Sequence, residues 1–260
     1  MKVDFITCWN KTLWNDFGAD AISTWQHQPY HYEEGKGSRH VEWQRWRDSN
    51  SQVMVDHFDH WWDKFSHKPQ AIIEHIMDKM QSDVTHVVWM DCDVVQLEDY
   101  DEKWLSDRLP HGNDLFTYLD RGGKNSENGW IAFNVKHPWC KTFMDRWEHM
   151  YFSNEVFKLK AWHDIGTFQA VYQIMKNETS YTAQTLRTSV GNDQWQVSEA
   201  FQRSKLAGKF AHLKGPRKVY IKRLANKTID LKFAMLDIYK RNSSEIFPWT
   251  ENDKERSSTI

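Results

Sequence analysis

Two aspartates one residue apart, Asp91 and Asp93, follow the apolar run 85–90. The run is rich in β-branched and aromatic residues, which predicts a buried strand, and ligands of open α/β sheets collect at the carboxyl ends of such strands. If the chain is still extended there, both carboxylates project to one face and Cys92 to the other. Carboxylate oxygens suit Mg²⁺ or Mn²⁺, which keep coordination positions for substrate phosphates. The pattern therefore indicates a divalent metal held against a diphosphate.

The Asp-x-Asp spacing alone does not establish a metal site. It recurs at Asp99 and Asp101, where no apolar strand precedes it. A solvated acidic turn after a strand is the main alternative. A calcium-binding loop over residues 91–102 is excluded, because Val95 occupies the fifth, ligand position and Gln96 the sixth, where the turn needs glycine.

Two further segments carry groups that could act on a diphosphate. Asp164 ends a Trp-His-Asp segment just before an apolar helix, so it is either a helix cap or a general base. In the segment 212–218, His212 could complete a metal shell, and Lys214 and Lys218 could neutralise a leaving group across a glycine-proline turn. A structural histidine and a solvated charge run are the alternatives for this segment.

The loop at residues 126–130 enters a predicted strand. Gly129 would let backbone approach a substrate closely, and Glu127 and Trp130 could orient a sugar or an acceptor. An ordinary strand-entry turn is the alternative, and it is favoured for Asn128 taken alone.

The elements that must position these residues alternate between strands and helices. This alternation predicts an α/β fold with a mixed, mainly parallel sheet flanked by helices. Strands are predicted at 2–7, 29–32, 85–90, 114–119, 129–135 and 209–213, with strand and loop at 184–195. Helices are predicted within 14–26, 39–46, 53–65, 71–80, 139–151, 163–175 and 222–239.

The length of 260 residues suits one large domain with an extension. We predict a catalytic domain over residues 1–221, a helical extension over 222–250 and a disordered polar tail over 251–260. The net charge of -2, from 34 basic and 36 acidic residues, gives no overall electrostatic signal for nucleic acid or anionic membrane.

The three cysteines, Cys8, Cys92 and Cys140, are far apart and lack Cys-x-x-Cys spacing. This argues against a disulfide framework or a structural zinc site and favours a reducing compartment. The first residues predict a strand instead of a signal peptide, and no run approaches the roughly 20 apolar residues of a membrane span. We expect a soluble, cytoplasmic protein without membrane contact.

Taken together, these motifs resemble the GT-A-fold, nucleotide-sugar-dependent glycosyltransferases. Four elements match in order, within about residues 2–218: Asp91-Cys92-Asp93, Asn128-Gly129, Asp164, and His212 with Lys214-Gly215. The resemblance implies a single Rossmann-like GT-A domain. It also implies that Asp91 contacts ribose or metal, that Asp93 and His212 ligate Mn²⁺ or Mg²⁺, and that Asp164 deprotonates the acceptor. The family's usual acid in the middle of the third motif is replaced here by His163.

The same resemblance places a UDP-sugar over the ends of the first two strands. Thr7, Cys8 and Trp9 would flank the base, and Glu33 would accept the imino proton of uracil, with Glu34 equally available. Asp91, Gly215 and the two lysines at 214 and 218 would contact the nucleotide sugar, and the lysines would stabilise the departing UDP.

The implied reaction is a single displacement in which an acceptor hydroxyl attacks the anomeric carbon, with inversion. Small enzymes of this type include phage proteins that add a sugar to hydroxymethylcytosine in DNA, which would place this chain in a host cytoplasm. A basic run from Lys205 to Arg223 could follow a DNA backbone. Glycan, small-molecule, lipid-linked and protein acceptors stay open.

Two other classes of protein would also use paired carboxylates. A sugar nucleotidyltransferase would attack the α-phosphate and release pyrophosphate, so the leaving group distinguishes it. A binding module without enzymatic activity would leave Asp164 and His212 without a purpose.

Overall fold

The computed structural model describes residues 1–58, 64–121, 126–160, 162–188 and 200–212. Its strands are β1 (Val3–Trp9), β2 (Tyr30–Glu33), β3 (His86–Met90), β4 (Val94–Gln96), β5 (Asp114–Leu119), β6 (Glu127–Asn134), β7 (Thr182–Thr185) and β8 (Phe210–His212). Six of them form one sheet in the order β2-β1-β3-β6-β5-β7, and β4 pairs with β8 separately. Within the large sheet β6 runs antiparallel to both neighbours, and the other pairs are parallel. The predicted α/β fold with a mixed, mainly parallel sheet is confirmed.

Helices lie between these strands. They are α1 (Lys11–Leu13), a π-helical turn (Trp14–Gly18), α2 (Ala19–Ser23), α3 (His40–Phe58), α4 (Lys64–Lys79), α5 (Glu102–Ser106), α6 (Cys140–Phe152), a 3-10 turn (Glu155–Lys158) and α7 (Asp164–Glu178). Among the residues described, no helix combines the length and the apolar character that a membrane crossing requires.

Strand β3 is apolar on both sides because both faces of the sheet are covered. Val87 and Trp89 belong to an apolar cluster that includes residues of α3, α4, α6 and α7. Val88 and Met90 belong to a second cluster on the opposite face. Successive side chains of a strand point to opposite faces, so a strand covered on both sides is a continuous apolar run. This packing fixes the end of β3, where Asp91 follows.

The predicted helices at 39–46 and 53–65 differ from the structure, in which α3 continues unbroken through Phe58. The polar stretch between them contains no glycine or proline, and two of its residues are buried with partners. Arg47 Nε donates to Ser66 Oγ at 2.7 Å, and Asn50 Nδ2 donates to the Trp46 carbonyl oxygen at 2.9 Å. Polar residues with such partners can be buried within a helix. The interruption of the apolar pattern between residues 46 and 53 therefore does not correspond to an end of helix α3.

Helix α4 begins at Lys64, seven residues before the predicted start at 71. Pro69 lies in its second turn, where it removes one backbone hydrogen bond without ending the helix. The segment 14–26 is divided between the π-helical turn and α2 instead of forming one α-helix. The predicted helix 222–239, the extension 222–250 and the tail 251–260 lie outside the described residues.

Buried His67 gives the folded state a pH dependence. It is 7% exposed, and its Nδ1 accepts a hydrogen bond from the Gly35 N–H at 3.3 Å. Burial, with a smaller effect of the Arg47 charge, lowers the pKa of His67 to about 3. An unfolded histidine titrates near pH ~6.5, so between these values the unfolded chain binds a proton that the folded chain does not. His67 therefore lowers the free energy of unfolding as the pH falls through this window.

A His67→Gln variant should lack the decrease in unfolding free energy that protonation of His67 causes as the pH falls. The unfolding free energy of the wild type minus that of the variant should therefore decrease by roughly 1.4 kcal/mol per pH unit below about pH 6. Urea denaturation of both proteins at about pH 7, 6 and 5 measures it. A difference that is independent of pH over this range would contradict the assignment.

Candidate active site

The chain turns sharply after β3 instead of staying extended through residues 91–93. The Val94 N–H donates to the Asp91 carbonyl oxygen at 3.0 Å, and the Asp91 N–H donates to the Gly129 carbonyl oxygen at 3.1 Å. The expectation that an extended chain would align Asp91 with Asp93 is therefore wrong in its geometry. The turn brings the two carboxylates together by a different route.

His212 reaches the aspartates through the short antiparallel pair of β4 and β8. Val94, the residue after Asp93, pairs with His212. The Nε2 of His212 lies 2.9 Å from Asp93 Oδ1 and 3.4 Å from Asp91 Oδ2. One ligand atom from each of the three residues lies within 4.8 Å of the others. Two carboxylate oxygens and one imidazole nitrogen form a donor set that fits Mn²⁺ or Mg²⁺.

The orientation of Asp91 is fixed by two donors. Its Oδ1 accepts from Lys68 Nζ at 2.7 Å and from Trp89 Nε1 at 2.8 Å. Because Oδ1 is engaged in this way, Oδ2 is the oxygen that faces His212. Asp91 is half-buried, whereas Asp93 and His212 are buried.

Lys68 joins this group to Asp164. Besides its contact with Asp91, its Nζ lies 2.5 Å from the Asn128 carbonyl oxygen and 3.1 Å from Asp164 Oδ2. Burial opposes the charge of Lys68, but the carboxylates of Asp91 and Asp164 more than offset burial, and the pKa of Lys68 is raised. The cation therefore stays charged between the two acids. Nothing in the sequence pattern indicated this role, because Lys68 is a single lysine in no motif.

Asp164 is the first residue of α7, and it does not provide the helix cap. The side chain of His163 does so, since its Nδ1 accepts from the Gly166 N–H at 3.2 Å. Asp164 is 8% exposed and pairs with Lys68. Of the two roles open to Asp164 from the sequence, the structure gives capping to its neighbour and places the carboxylate 3.1 Å from Lys68 Nζ, which also contacts Asp91.

The first residue of β6, Glu127, lies beside His212, which is not the role expected from the sequence. Glu127 is 2% exposed, and its Oε1 lies 3.4 Å from His212 Nδ1. Trp130 is completely buried between Phe5 and Phe210 in the core. The expectation that Trp130 contacts a sugar is therefore wrong, because this ring has no surface for a ligand to reach.

Gly129 makes room for the imidazole of His212. A Cβ added at this position would lie 2.6 Å from His212 Nδ1 and 3.0 Å from the Phe201 ring. Close approach was expected at Gly129, but the group that approaches is a side chain of this protein instead of a substrate. Glycine is needed here for space, since Gly129 has no positive φ.

We expect Gly129→Ala to displace His212 and weaken metal binding. The added methyl group cannot be accommodated without moving the imidazole or the buried Phe201 ring. The affinity for Mn²⁺ should fall by about tenfold or more, since displacing a ligand or its support commonly has this effect. A Mn²⁺ titration followed by electron paramagnetic resonance measures it. Gly112→Ala is the comparison for a general loss of stability, because the added Cβ meets no atom within 4 Å there but alanine is strained by the positive φ of 57°. Equal affinities in wild type and Gly129→Ala would contradict the prediction.

The residues expected around the nucleotide lie at the carboxyl ends of β1 and β2. Trp9 pairs with Glu33 in the parallel register, and Glu33 is exposed while Trp9 and Cys8 are half-buried. Burial raises the pKa of the Cys8 thiol, so it remains protonated. Thr7 is completely buried, so it lies beneath this surface and does not flank a base. Lys214, Gly215 and Lys218 lie outside the described residues.

Searches of protein-family models and of curated proteins find no match to this sequence. Solved glycosyltransferase structures are similar to it at low identity. A glycosyltransferase involved in glycosylation of the major capsid of PBCV-1 is 12% identical with a TM-score of 0.47, covering 85% of this chain and 98% of that chain. The galactosyltransferase LgtC, in complex with donor and acceptor sugar analogs, is 10% identical with a TM-score of 0.46, covering 82% and 87%.

The bifunctional glycosyltransferase WbbM is 14% identical with a TM-score of 0.44, covering 94% of this chain. This chain spans 52% of the length of WbbM. Because these identities are low, the function proposed below rests on the residues of the site itself.

Proposed function

We propose that this protein is an enzyme, a glycosyltransferase that moves a sugar from a UDP-sugar to an acceptor hydroxyl with the help of Mn²⁺ or Mg²⁺. The observation that carries the proposal is the triad of Asp91, Asp93 and His212, with a buried acid, Asp164, one lysine away from it. A metal bound by the triad would neutralise charge on the diphosphate leaving group. Trp9 and Glu33 at the ends of β1 and β2 are the proposed contacts of the base.

Asp164 is the proposed general base. The acceptor oxygen forms a bond to the anomeric carbon, the bond from that carbon to the diphosphate oxygen breaks, and Asp164 takes the hydroxyl proton. This single displacement inverts the anomeric configuration. Lys68 holds the Asp164 carboxylate at the edge of the triad through its 3.1 Å contact. Lys214 and Lys218 are the proposed cations for the departing UDP, and Gly215 the proposed close backbone contact.

The contact with Lys68 also favours a second role for Asp164. A carboxylate that shares one ammonium with Asp91 lies on the donor side of the site, where it could bind hydroxyl groups of the transferred sugar. In that role Asp164 would affect donor affinity, and the acceptor would lose its proton to another group. The Asp164→Asn variant distinguishes these roles, because the loss of a base lowers turnover and the loss of a donor contact lowers donor affinity.

The donor and the leaving group are tested together. Purified protein is incubated with Mn²⁺ and a panel of nucleotide sugars, and the slow transfer to water is followed by separating nucleotides from pyrophosphate. We expect one UDP-sugar to give free UDP, and less of it when Mn²⁺ is chelated. Release of pyrophosphate instead would identify a sugar nucleotidyltransferase.

For the acceptor, we propose hydroxymethylcytosine in DNA. The support is the basic run that starts at Lys205, of which the part from residue 213 onward lies outside the described residues. Radiolabelled sugar transfer to duplex DNA with and without hydroxymethylcytosine tests it, with a panel of saccharides as the other arm. Transfer to the modified duplex alone supports the DNA acceptor, and transfer to a saccharide alone overturns it and leaves a glycan-directed or small-molecule-directed enzyme.

A further inference from the structure

The side of His212 that faces away from the aspartates meets a buried carboxylate. Glu127 Oε1 lies 3.4 Å from His212 Nδ1, whereas the Nε2 of the same ring lies 2.9 Å from Asp93 Oδ1. Both residues are almost completely buried, at 2% and 4% exposure. Nε2 shares a hydrogen bond with Asp93 in this structure. We propose that Glu127 is a positioning residue that accepts the Nδ1 proton of His212 when a metal replaces the proton on Nε2, so that the Nε2 lone pair faces the metal position. This inference rests on the proposed function.

The Glu127 carboxylate is itself fixed in place. The Gly129 N–H donates to Oε1 at 3.0 Å, and Arg121 Nη1 lies 3.8 Å from Oε2. Glu127 Oε1, the oxygen beside His212, is therefore held by a hydrogen bond from the backbone of its own strand, β6. An oxygen held in this way stays next to Nδ1 whether or not a metal is bound.

The imidazole ring is fixed as well. The Phe201 ring meets it edge to face, with centroids 5.3 Å apart, and Gly129 contacts it at the position where a Cβ would collide. A neutral imidazole has one nitrogen that donates and one that accepts, so the partner of one nitrogen decides the role of the other. When a carboxylate accepts a hydrogen bond from Nδ1–H, the lone pair is on Nε2, and Nε2 is the atom that can bind a metal. Such outer carboxylates commonly change metal affinity by about tenfold to a hundredfold.

Two substitutions separate this role from simple packing. Glu127→Met keeps the buried length of the side chain but offers no oxygen to Nδ1. Glu127→Gln keeps an oxygen, because the Gly129 N–H requires an acceptor at the Oε1 position. In the absence of nucleotide, we expect the Mn²⁺ affinity of Glu127→Met to fall by about tenfold to a hundredfold, and that of Glu127→Gln by less than about tenfold.

The matched control is a second buried carboxylate–histidine pair away from the triad. Asp4 Oδ2 lies 3.0 Å from His75 Nε2, and both residues are buried. Asp4→Asn weakens this pair without touching the metal ligands, so it should change the free energy of unfolding and leave the Mn²⁺ affinity unchanged. A similar loss of affinity in Asp4→Asn would show that the effect at Glu127 is a general loss of packing, which overturns the inference.

A spectroscopic measurement keeps the inference testable even if Glu127→Met does not fold. Long-range ¹H–¹⁵N correlation on the Mg²⁺-saturated wild type and Glu127→Gln variant identifies the Nδ1–H resonance of His212. We expect this resonance farther downfield in the wild type, because a carboxylate accepts a stronger hydrogen bond than an amide oxygen, and equal shifts in the two proteins would overturn the inference. If the wild type binds no divalent metal, the proposed function fails at its metal site. If it binds metal and Glu127→Met binds it equally well, only the role of Glu127 is wrong.

Discussion

Replacing Asp93 by asparagine is expected to abolish metal-dependent sugar transfer. The Asp93 carboxylate is buried, and its Oδ1 lies 2.9 Å from His212 Nε2. Asparagine has nearly the same shape but removes one negative charge from the triad, so the cation would lose an anionic ligand in a buried site. We expect turnover to fall by at least about a thousandfold, equivalent to roughly 4 kcal/mol. Initial rates of UDP release at saturating Mn²⁺ measure it.

The sequence provides a matched control for Asp93. Asp99 belongs to the second Asp-x-Asp pattern and is exposed, and among the contacts described its carboxylate accepts only a 3.3 Å hydrogen bond from Gln96 Nε2. Asp99→Asn should therefore leave turnover and Mn²⁺ affinity within about twofold of wild type, as expected for a surface substitution. If Asp93→Asn behaves like Asp99→Asn, the triad is not the metal site.

Replacing Asp164 by asparagine is expected to cause a large fall in turnover. As a general base, Asp164 should contribute about 10²-fold to 10⁴-fold to the rate, and an amide cannot take the proton of the acceptor. We expect turnover to fall by this factor while the affinity for UDP in the presence of Mn²⁺ changes little. Single-turnover rates and calorimetric titration with UDP provide the two measurements. Asp101→Asn, at the start of α5, is the control, since within the described part of the chain that carboxylate contacts only the Trp104 N–H of its own helix.

The outcome for Asp164 also distinguishes its two proposed roles. If turnover at saturating donor is maintained while the affinity for the intact UDP-sugar falls, Asp164 binds the donor and is not the base. The anomeric configuration of the product gives an independent answer, because a single displacement with Asp164 as base inverts it. A product that retains the configuration of the donor would contradict that mechanism.

Much of the fold followed from local patterns in the sequence. The strand before Asp91 is a continuous apolar run because it is covered on both faces, and its prediction needed only the residues 85–90. The continuation of α3 past Arg47 and the start of α4 at Lys64 could not be predicted from local sequence patterns. They depend on buried hydrogen bonds between residues about 20 positions apart, such as that of Arg47 with Ser66, which no local pattern reports.

The candidate site was predictable in its residue types and less so in its geometry. His212 joins Asp93 through the pairing of β4 with β8, two three-residue strands separated by more than 100 residues. Their partnership is a tertiary contact that their sequences do not specify. Lys68 could not be found for the same reason, because its position between Asp91 and Asp164 depends on how α4 packs. Trp130 was misassigned because an aromatic residue after a loop looks the same in the core and at a surface.

We propose that sugar transfer requires a divalent cation held by Asp91, Asp93 and His212. The most direct test is the initial rate of UDP release by the wild type as a function of free Mn²⁺, with the metal set by a chelating buffer and the best UDP-sugar of the panel as donor. We expect a rate that rises with free Mn²⁺, saturates, and returns to background when excess EDTA is added. UDP release that proceeds equally fast in excess EDTA would show that the reaction requires no such cation.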